Sequence, residues 1–283
     1  MNRVLKINIY FGTEQILRYF SIFEKLLANN CFDIIQVSLS KELLLRIRSD
    51  IPNVEAFYQD YYTIMRWIFN HPKIEVVDDQ SFPLICYTQL VSQYGQRMSY
   101  YINEHLVDES IGSVLKLPTK YITISTKIWS NDINTKYDSH KGKILDSLNA
   151  FNHNIVILGE RNIAVCDEYT KILTRSIYRD LTQALKKYTD YTYNDSSQNN
   201  EINKLKQSFY ILSRSSLNIF ITDSGIRITN LFLNKNVIGL TNCYEMSTND
   251  IVHFNPATMC FTNNPDTFVE TLNAFIHNLN ICS

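Results

Sequence analysis

Glycine and proline are scarce in this chain, at seven and six of 283 residues. The glycines stand apart, so no dinucleotide fingerprint forms: Gly12 lacks the other two glycines of G-x-G-x-x-G. Neither a P-loop nor a G-x-S-x-G nucleophile elbow is present, which sets aside two familiar routes to nucleotide and acyl chemistry. An excess of one charge is missing too. The formal net charge is -1, without the basic footprint of a nucleic-acid binder. Six cysteines (Cys31, Cys86, Cys166, Cys243, Cys260 and Cys282) are scattered with no C-x-x-C pair, and read as incidental thiols of a reducing cytoplasm. There is no H-E-x-x-H and no close set of Asp and His, so neither a protein-held metal nor a cofactor is expected. No apolar run reaches the roughly 18–20 residues of a membrane span. The opening Met1 to Tyr10 is too short and interrupted for a signal peptide, so a cytoplasmic protein is expected.

What is present is a globular composition, 45% hydrophobic and 19% charged, in a length comfortable for two domains of ordinary size. Tyrosine (18) and phenylalanine (15) are abundant beside Asn, Ile and Lys. That mixture reads as the bias of an AT-rich genome, so single aromatics and asparagines carry little functional signal.

Hydrophobic periodicity divides the chain. Val4 to Tyr10 predicts a strand, Gly12 a tight turn, and Glu14 to Asn29 a helix with Ile16, Leu17, Phe20, Phe23, Leu26 and Leu27 on one face. Phe32 to Leu39 predicts a second strand, completing a βαβ opening. Helical patterns fill residues 41–70, broken at Pro52 and Asn53, and Ile74 to Val77 predicts a short strand. Residues 81–115 are poorly patterned and mainly helical. A second βαβ opening begins after Pro118: a strand Tyr121 to Thr126, a polar loop Lys127 to Lys143, a helix Lys143 to Phe151, and a strand Asn154 to Gly159. A helix over 167–188, a polar loop over 189–200 and a helix Glu201 to Ser216 follow. The last elements are strands at Leu217 to Thr222, Val237 to Leu240 and Thr258 to Phe261, then a closing helix Pro265 to Leu279. The two openings predict an α/β protein of two units, 1–115 and 116–283.

The most informative turn is Asp223-Ser224-Gly225. A strand that ends in small residues and leads into a helix leaves backbone N–H groups available to a phosphate. Such a turn also serves many crossovers simply as a change of direction.

The order of the second half resembles the C-terminal domain of family-nine glycosyltransferases, the group of the lipopolysaccharide heptosyltransferases. The residues that carry the likeness are the strand and polar loop from Tyr121 to Trp129, the Ile-Leu-Gly strand followed by Glu160, Asp223-Ser224-Gly225, and Val237-Ile-Gly-Leu240. Residues 1 to 40 are similar in a fainter way. The resemblance implies a GT-B fold, two Rossmann-like domains facing each other across a cleft, with the acceptor bound by residues 1–115 and the nucleotide-sugar donor by 116–283. It implies an inverting, metal-independent transfer of a sugar to a glycan or glycolipid acceptor, and admits peripheral membrane association.

Two positions depart from the family pattern. Its Gly-Asp after the first strand is Gly12-Thr13-Glu14 here, and the histidine that follows its Asp-Thr-Gly is replaced by Ile228. A non-catalytic sugar-nucleotide-binding relative, or an epimerase or hydrolase of the same fold, therefore stands beside the transferase reading.

Glu14 is the candidate general base, since transfer to a hydroxyl needs a carboxylate to take its proton; as a first-turn acid it also suits the helix dipole. Gly12 and Thr13 supply the backbone turn before it. Lys127 would neutralise the leaving diphosphate with Thr126 beside it, or stand as a solvated loop cation. Glu160 would hold the ribose or a base edge, or open a helix. Ser224 and Gly225 would offer amides to the donor phosphates, Asp223 would cap the following helix, and Arg227 would reach the phosphate or sit exposed.

Overall fold

The computed structural model describes residues 3–10, 12–47, 54–94, 104–125, 131–159, 177–192, 201–221, 236–241 and 259–281. The first half runs β1 (Val4–Ile9), α1 (Thr13–Ala28), β2 (Ile34–Leu39), α2 (Lys41–Ile47), α3 (Val54–Ile68), β3 (Ile74–Val76) and α4 (Tyr87–Tyr94), then two 3-10 turns at Glu104–Leu106 and Glu109–Ser113. The second runs β4 (Tyr121–Ser125), α5 (Asn131–Asn149), β5 (Asn154–Leu158), helical residues 177–184 (α6), β6 (Tyr188–Asp190), α7 (Glu201–Arg214), β7 (Asn218–Ile221), β8 (Val237–Leu240), β9 (Met259–Thr262) and α8 (Pro265–Ile281).

Among the described residues, the strands form two separate parallel sheets. The first has the order β3-β2-β1, and Asn8 on the free edge of β1 bridges Leu84 in parallel, through Asn8 N–H to Pro83 O (2.8 Å) and Ile85 N–H to Asn8 O (3.2 Å). The second has the order β6-β5-β4-β7-β8-β9, with every neighbouring pair parallel. Counted from β4 this is 3-2-1-4-5-6, the doubly wound nucleotide-binding order. Parallel sheets need cover on both faces, and β4, β7 and β8 are accordingly buried along their whole length.

Strand alternation sorts the two faces. Ile122, Ile124, Ile155 and Ile157 point into a core shared with α5, α6 and α8, whereas Tyr121, Val156 and Leu158 point the other way. That second face is covered by α7, whose Phe209, Ile211 and Leu212 join one continuous core with the first sheet and α1. The helix α7 also meets α3 and the 3-10 turns. Trp67 and Phe209 pack edge to face at 5.3 Å, Lys206 Nζ lies 3.4 Å from Asp108 Oδ2, and Arg214 pairs with Glu109.

Three expectations change. Helix α5 begins at Asn131, inside the stretch expected to be loop to Lys143, because Ile133 and Tyr137 supply an apolar stripe that the polar composition hides. Tyr188–Asp190 is a strand where a helix was expected to end at 188 and a loop to begin at 189, and it pairs with Ile155–Ile157. α1 buries Tyr19 and Ile22 as well as the expected stripe, since α3 and α4 pack on it beside the sheet. Among the described residues, no helix is long and apolar enough to cross a membrane.

Candidate functional site

Ligands of open parallel sheets gather outside the carboxyl ends of the strands, where the strand order reverses. In the first sheet that place is the exit of β1, between β2 and Leu84. Gly12, at φ 108, follows this exit in backbone that side chains rarely adopt, and a Cβ there would meet nothing within 4 Å. Its carbonyl accepts from Ile16 N–H at 3.0 Å and so starts α1. Gly12, as the N-cap, brings no side chain to cap the helix, and the positive end of the α1 dipole lies at the carboxyl edge. Thr13 and Glu14 are the first two residues of α1, which places the backbone of the candidate base at this edge; their side chains lie outside the described residues.

Next to this exit, β2 and β3 end in a polar network that the sequence did not single out. Tyr58 and Tyr62, both buried on α3, reach the strand ends from below. The Tyr58 hydroxyl lies 3.0 Å from Asp78 Oδ1 and 3.1 Å from the Leu39 carbonyl. The Tyr62 hydroxyl donates to Val77 O at 2.6 Å and lies 3.0 Å from Ser38 Oγ, which accepts from Asp79 N–H at 3.2 Å. Gln80 Nε2 bonds to Asp78 Oδ1 (3.1 Å) and to the Tyr58 oxygen (2.7 Å), while its Oε1 accepts from Lys41 N–H at 2.9 Å. Burial pushes the Tyr58 hydroxyl far above its ordinary pKa, helped by Tyr62 and Asp78, so it stays a donor.

Charges complete the network. Lys41 Nζ pairs with Glu55 at 2.5 Å; that hydrogen bond raises the lysine's pKa and lowers the glutamate's. The pair is exposed and stabilises little by itself, but it holds the ammonium 5.2 Å from the centre of the Tyr58 ring. Hydrogen bonds from the Ser81 hydroxyl and amide hold Asp79 below the usual carboxylate range. A pair of aspartates directly after a strand was the signal available in the sequence.

In the second sheet the order reverses between β4 and β7. Ser125, the last residue of β4, is paired with Phe220 in β7, so the two strands deliver the chain side by side. Thr126 and Lys127 follow the first exit, and Asp223, Ser224, Gly225 and Arg227 follow the second. Glu160 comes after β5, one strand over, behind Gly159 at φ 112. These seven residues lie outside the described residues. Beneath the exits, Thr123 Oγ1 donates to Asn218 Oδ1 at 2.6 Å, and Asn218 Nδ2 donates to the Leu212 carbonyl at 3.2 Å. This buried pair ties the two reversal strands to each other and to the end of α7.

Among the described residues, no group of three His, Cys, Asp or Glu could hold a metal ion. Cys31, Cys86 and Cys260 are half-buried free thiols.

No protein-family model matches the chain, and no curated protein sequence matches it. Solved structures do. It is similar to the Escherichia coli heptosyltransferase WaaC with ADP, at 10% identity and a TM-score of 0.51, covering 97% of this chain and 99% of that one. It is also similar to a family-nine glycosyltransferase of Veillonella parvula (9% identity, TM-score 0.48, 98% of each chain). A third is the Escherichia coli ADP-heptose lipopolysaccharide heptosyltransferase II, at 12% identity and a TM-score of 0.47, covering 98% and 100%. At these identities the WaaC likeness concerns the fold, and the expected GT-B architecture of two Rossmann-like units stands.

Proposed function

We propose that this chain is a glycosyltransferase that moves a sugar from a nucleotide-sugar donor to a glycan or lipopolysaccharide-type acceptor, with inversion and without a metal ion. The observation that carries the reading is the side-by-side exit of β4 and β7 at the reversal point of a 3-2-1-4-5-6 sheet. On this reading residues 116–283 hold the donor and residues 1–115 the acceptor.

The chemistry asks little of the protein beyond charge and placement. Glu14 takes the proton of the acceptor hydroxyl as its oxygen attacks the anomeric carbon from the side opposite the leaving group. The bond from that carbon to the diphosphate oxygen breaks, and the nucleoside diphosphate departs with the electron pair. Lys127, the amides of Ser224 and Gly225, and Arg227 meet the charge that develops on it. Thr126 supplies a further donor, Glu160 the ribose contact and Asp223 the helix cap.

Thermal unfolding of the whole chain in the presence of ADP, GDP, UDP and CDP, each with a chelator, tests the donor half of this reading. One diphosphate is expected to raise the melting temperature, by an amount that grows with its concentration above Kd. If none of the four does so, the donor site is absent. A shift seen only when magnesium replaces the chelator overturns the metal-independent mechanism.

A further inference from the structure

The network at the end of β3 contains one carboxylate that is held but not used up. The Tyr58 hydroxyl and the Gln80 amide both reach Asp78 Oδ1, at 3.0 and 3.1 Å, and fix the plane of the group. No described residue hydrogen-bonds to Oδ2, and Asp78 is exposed while the tyrosines beneath it are buried. An acid needed only to anchor the loop would be satisfied by both oxygens. Here one oxygen is anchored by the protein and the other takes no hydrogen bond from a described residue, on an exposed side chain at the carboxyl edge, where ligands of such sheets lie.

We propose that Asp78 is a specificity-determining residue for the acceptor, its Oδ2 accepting hydroxyl hydrogens of the receiving saccharide. This rests on the transferase reading above. Two strand spacings, roughly 10 Å, separate the exits of β1 and β3. A saccharide presenting a hydroxyl at the start of α1 therefore carries its neighbouring residue over Asp78. Hydroxyl-to-carboxylate bonds are short and charge-assisted, and a carboxylate already oriented by the protein loses little freedom in making them. Lys41, close to the Tyr58 ring and bonded through its amide to Gln80, lines the same edge with a cation.

The test separates anchoring from recognition. Asp78→Asn keeps the oxygen that accepts from Tyr58 and Gln80 but replaces the Oδ2 acceptor with a donor. Wild type and D78N, each as the full chain saturated with the nucleoside diphosphate that gives the largest thermal shift (or with ADP if none does), are applied to an array of immobilised mono- and oligosaccharides. The expected result is a melting temperature and a nucleotide shift like those of wild type, with saccharide retention reduced at least tenfold. Equal retention by D78N overturns the proposal, as does a wild type that retains no saccharide. If D78N does not fold, Gln80→Ala is the substitute: it frees the carboxylate plane at an exposed position, and retention is expected to fall several-fold. Unchanged retention in Q80A then overturns it. Nucleotide shift without Asp78-dependent retention removes this inference alone. Asp78-dependent retention with no nucleotide shift removes the donor reading instead.

Discussion

The ring of Phe220 in β7 lies against the Cα of Gly239 in β8, so that a Cβ on that glycine would sit 2.3 Å from Phe220 Cε2 and 2.5 Å from Cζ. Phe220 is fully buried and packs on Phe261 at 5.5 Å, so the ring has nowhere to retreat. The glycine in Val237-Ile-Gly-Leu240 is there for its missing side chain.

Gly239→Ala is therefore expected to destabilise the fold by about 1–3 kcal/mol, as overpacking of a close-packed interior does. Urea unfolding measures it. Adding Phe220→Leu to the same chain should recover part of the loss, and a pair that is simply additive would show that the clash is not the cause.

The Thr123 and Asn218 pair predicts a second non-additive cycle. Thr123→Val removes the donor and leaves a buried amide oxygen unpaired, at a cost of about 1–3 kcal/mol. Asn218→Leu also releases the Leu212 carbonyl. The double variant should lose less than the sum of the singles, read from the same unfolding curves.

Glu24 on α1 is half-buried, with Oε2 sealed from water and lacking a hydrogen-bond partner, and burial pushes its pKa up to about 7. The folded state thus holds this proton more tightly than the unfolded chain, where the ordinary value is 4.5. The contribution to stability is complete below about pH 4.5 and is lost as pH rises through 7. After allowing for the water that reaches the rest of the side chain, the change is on the order of 1 kcal/mol. Melting temperatures from pH 4.5 to 8 should fall in wild type relative to Glu24→Gln, and parallel profiles would remove the effect.

Two substitutions divide chemistry from binding on the proposed mechanism. Glu14→Gln should lower turnover by roughly 10²–10⁴-fold with donor affinity almost unchanged. Gly225→Val should weaken nucleoside diphosphate binding first, since a β-branched side chain blocks approach to the amides. Turnover like that of wild type in Glu14→Gln would remove Glu14 from the mechanism.

Periodicity was enough for most of the fold. Val4–Ile9, Ile34–Leu39, Asn154–Leu158 and Val237–Leu240 are strands bounded by turns, and each sits within about a residue or two of where alternation and apolar runs put it. The errors have a physical cause. In α5 the buried apolar residues among those described are Ile133, Tyr137, Ile144 and Leu148, with Leu145 packed beside them, and the thirteen residues up to Lys143 with two apolar anchors look like loop until a sheet is there to receive them. The edge strand Tyr188–Asp190 has three residues and one partner, too few for a period to register. At the candidate site, the turn at Gly12 was legible because its backbone demands glycine. Asp78 was not, because what distinguishes it is contact with Tyr58, twenty residues away on a helix whose own pattern shows only burial.

The position of α7 also bears on how the chain is made. The first sheet and its helices are complete by Tyr94, yet the core they share is closed by Phe209, Ile211 and Leu212, which leave the ribosome more than a hundred residues later. Until then Trp67 and its neighbours on α3 lack the surface that buries them. At ordinary elongation rates of about 5–20 residues per second, the nascent chain carries that uncovered patch for several seconds. A fragment ending near residue 115 would carry it permanently, and is expected to need a chaperone or to aggregate where the whole chain does not.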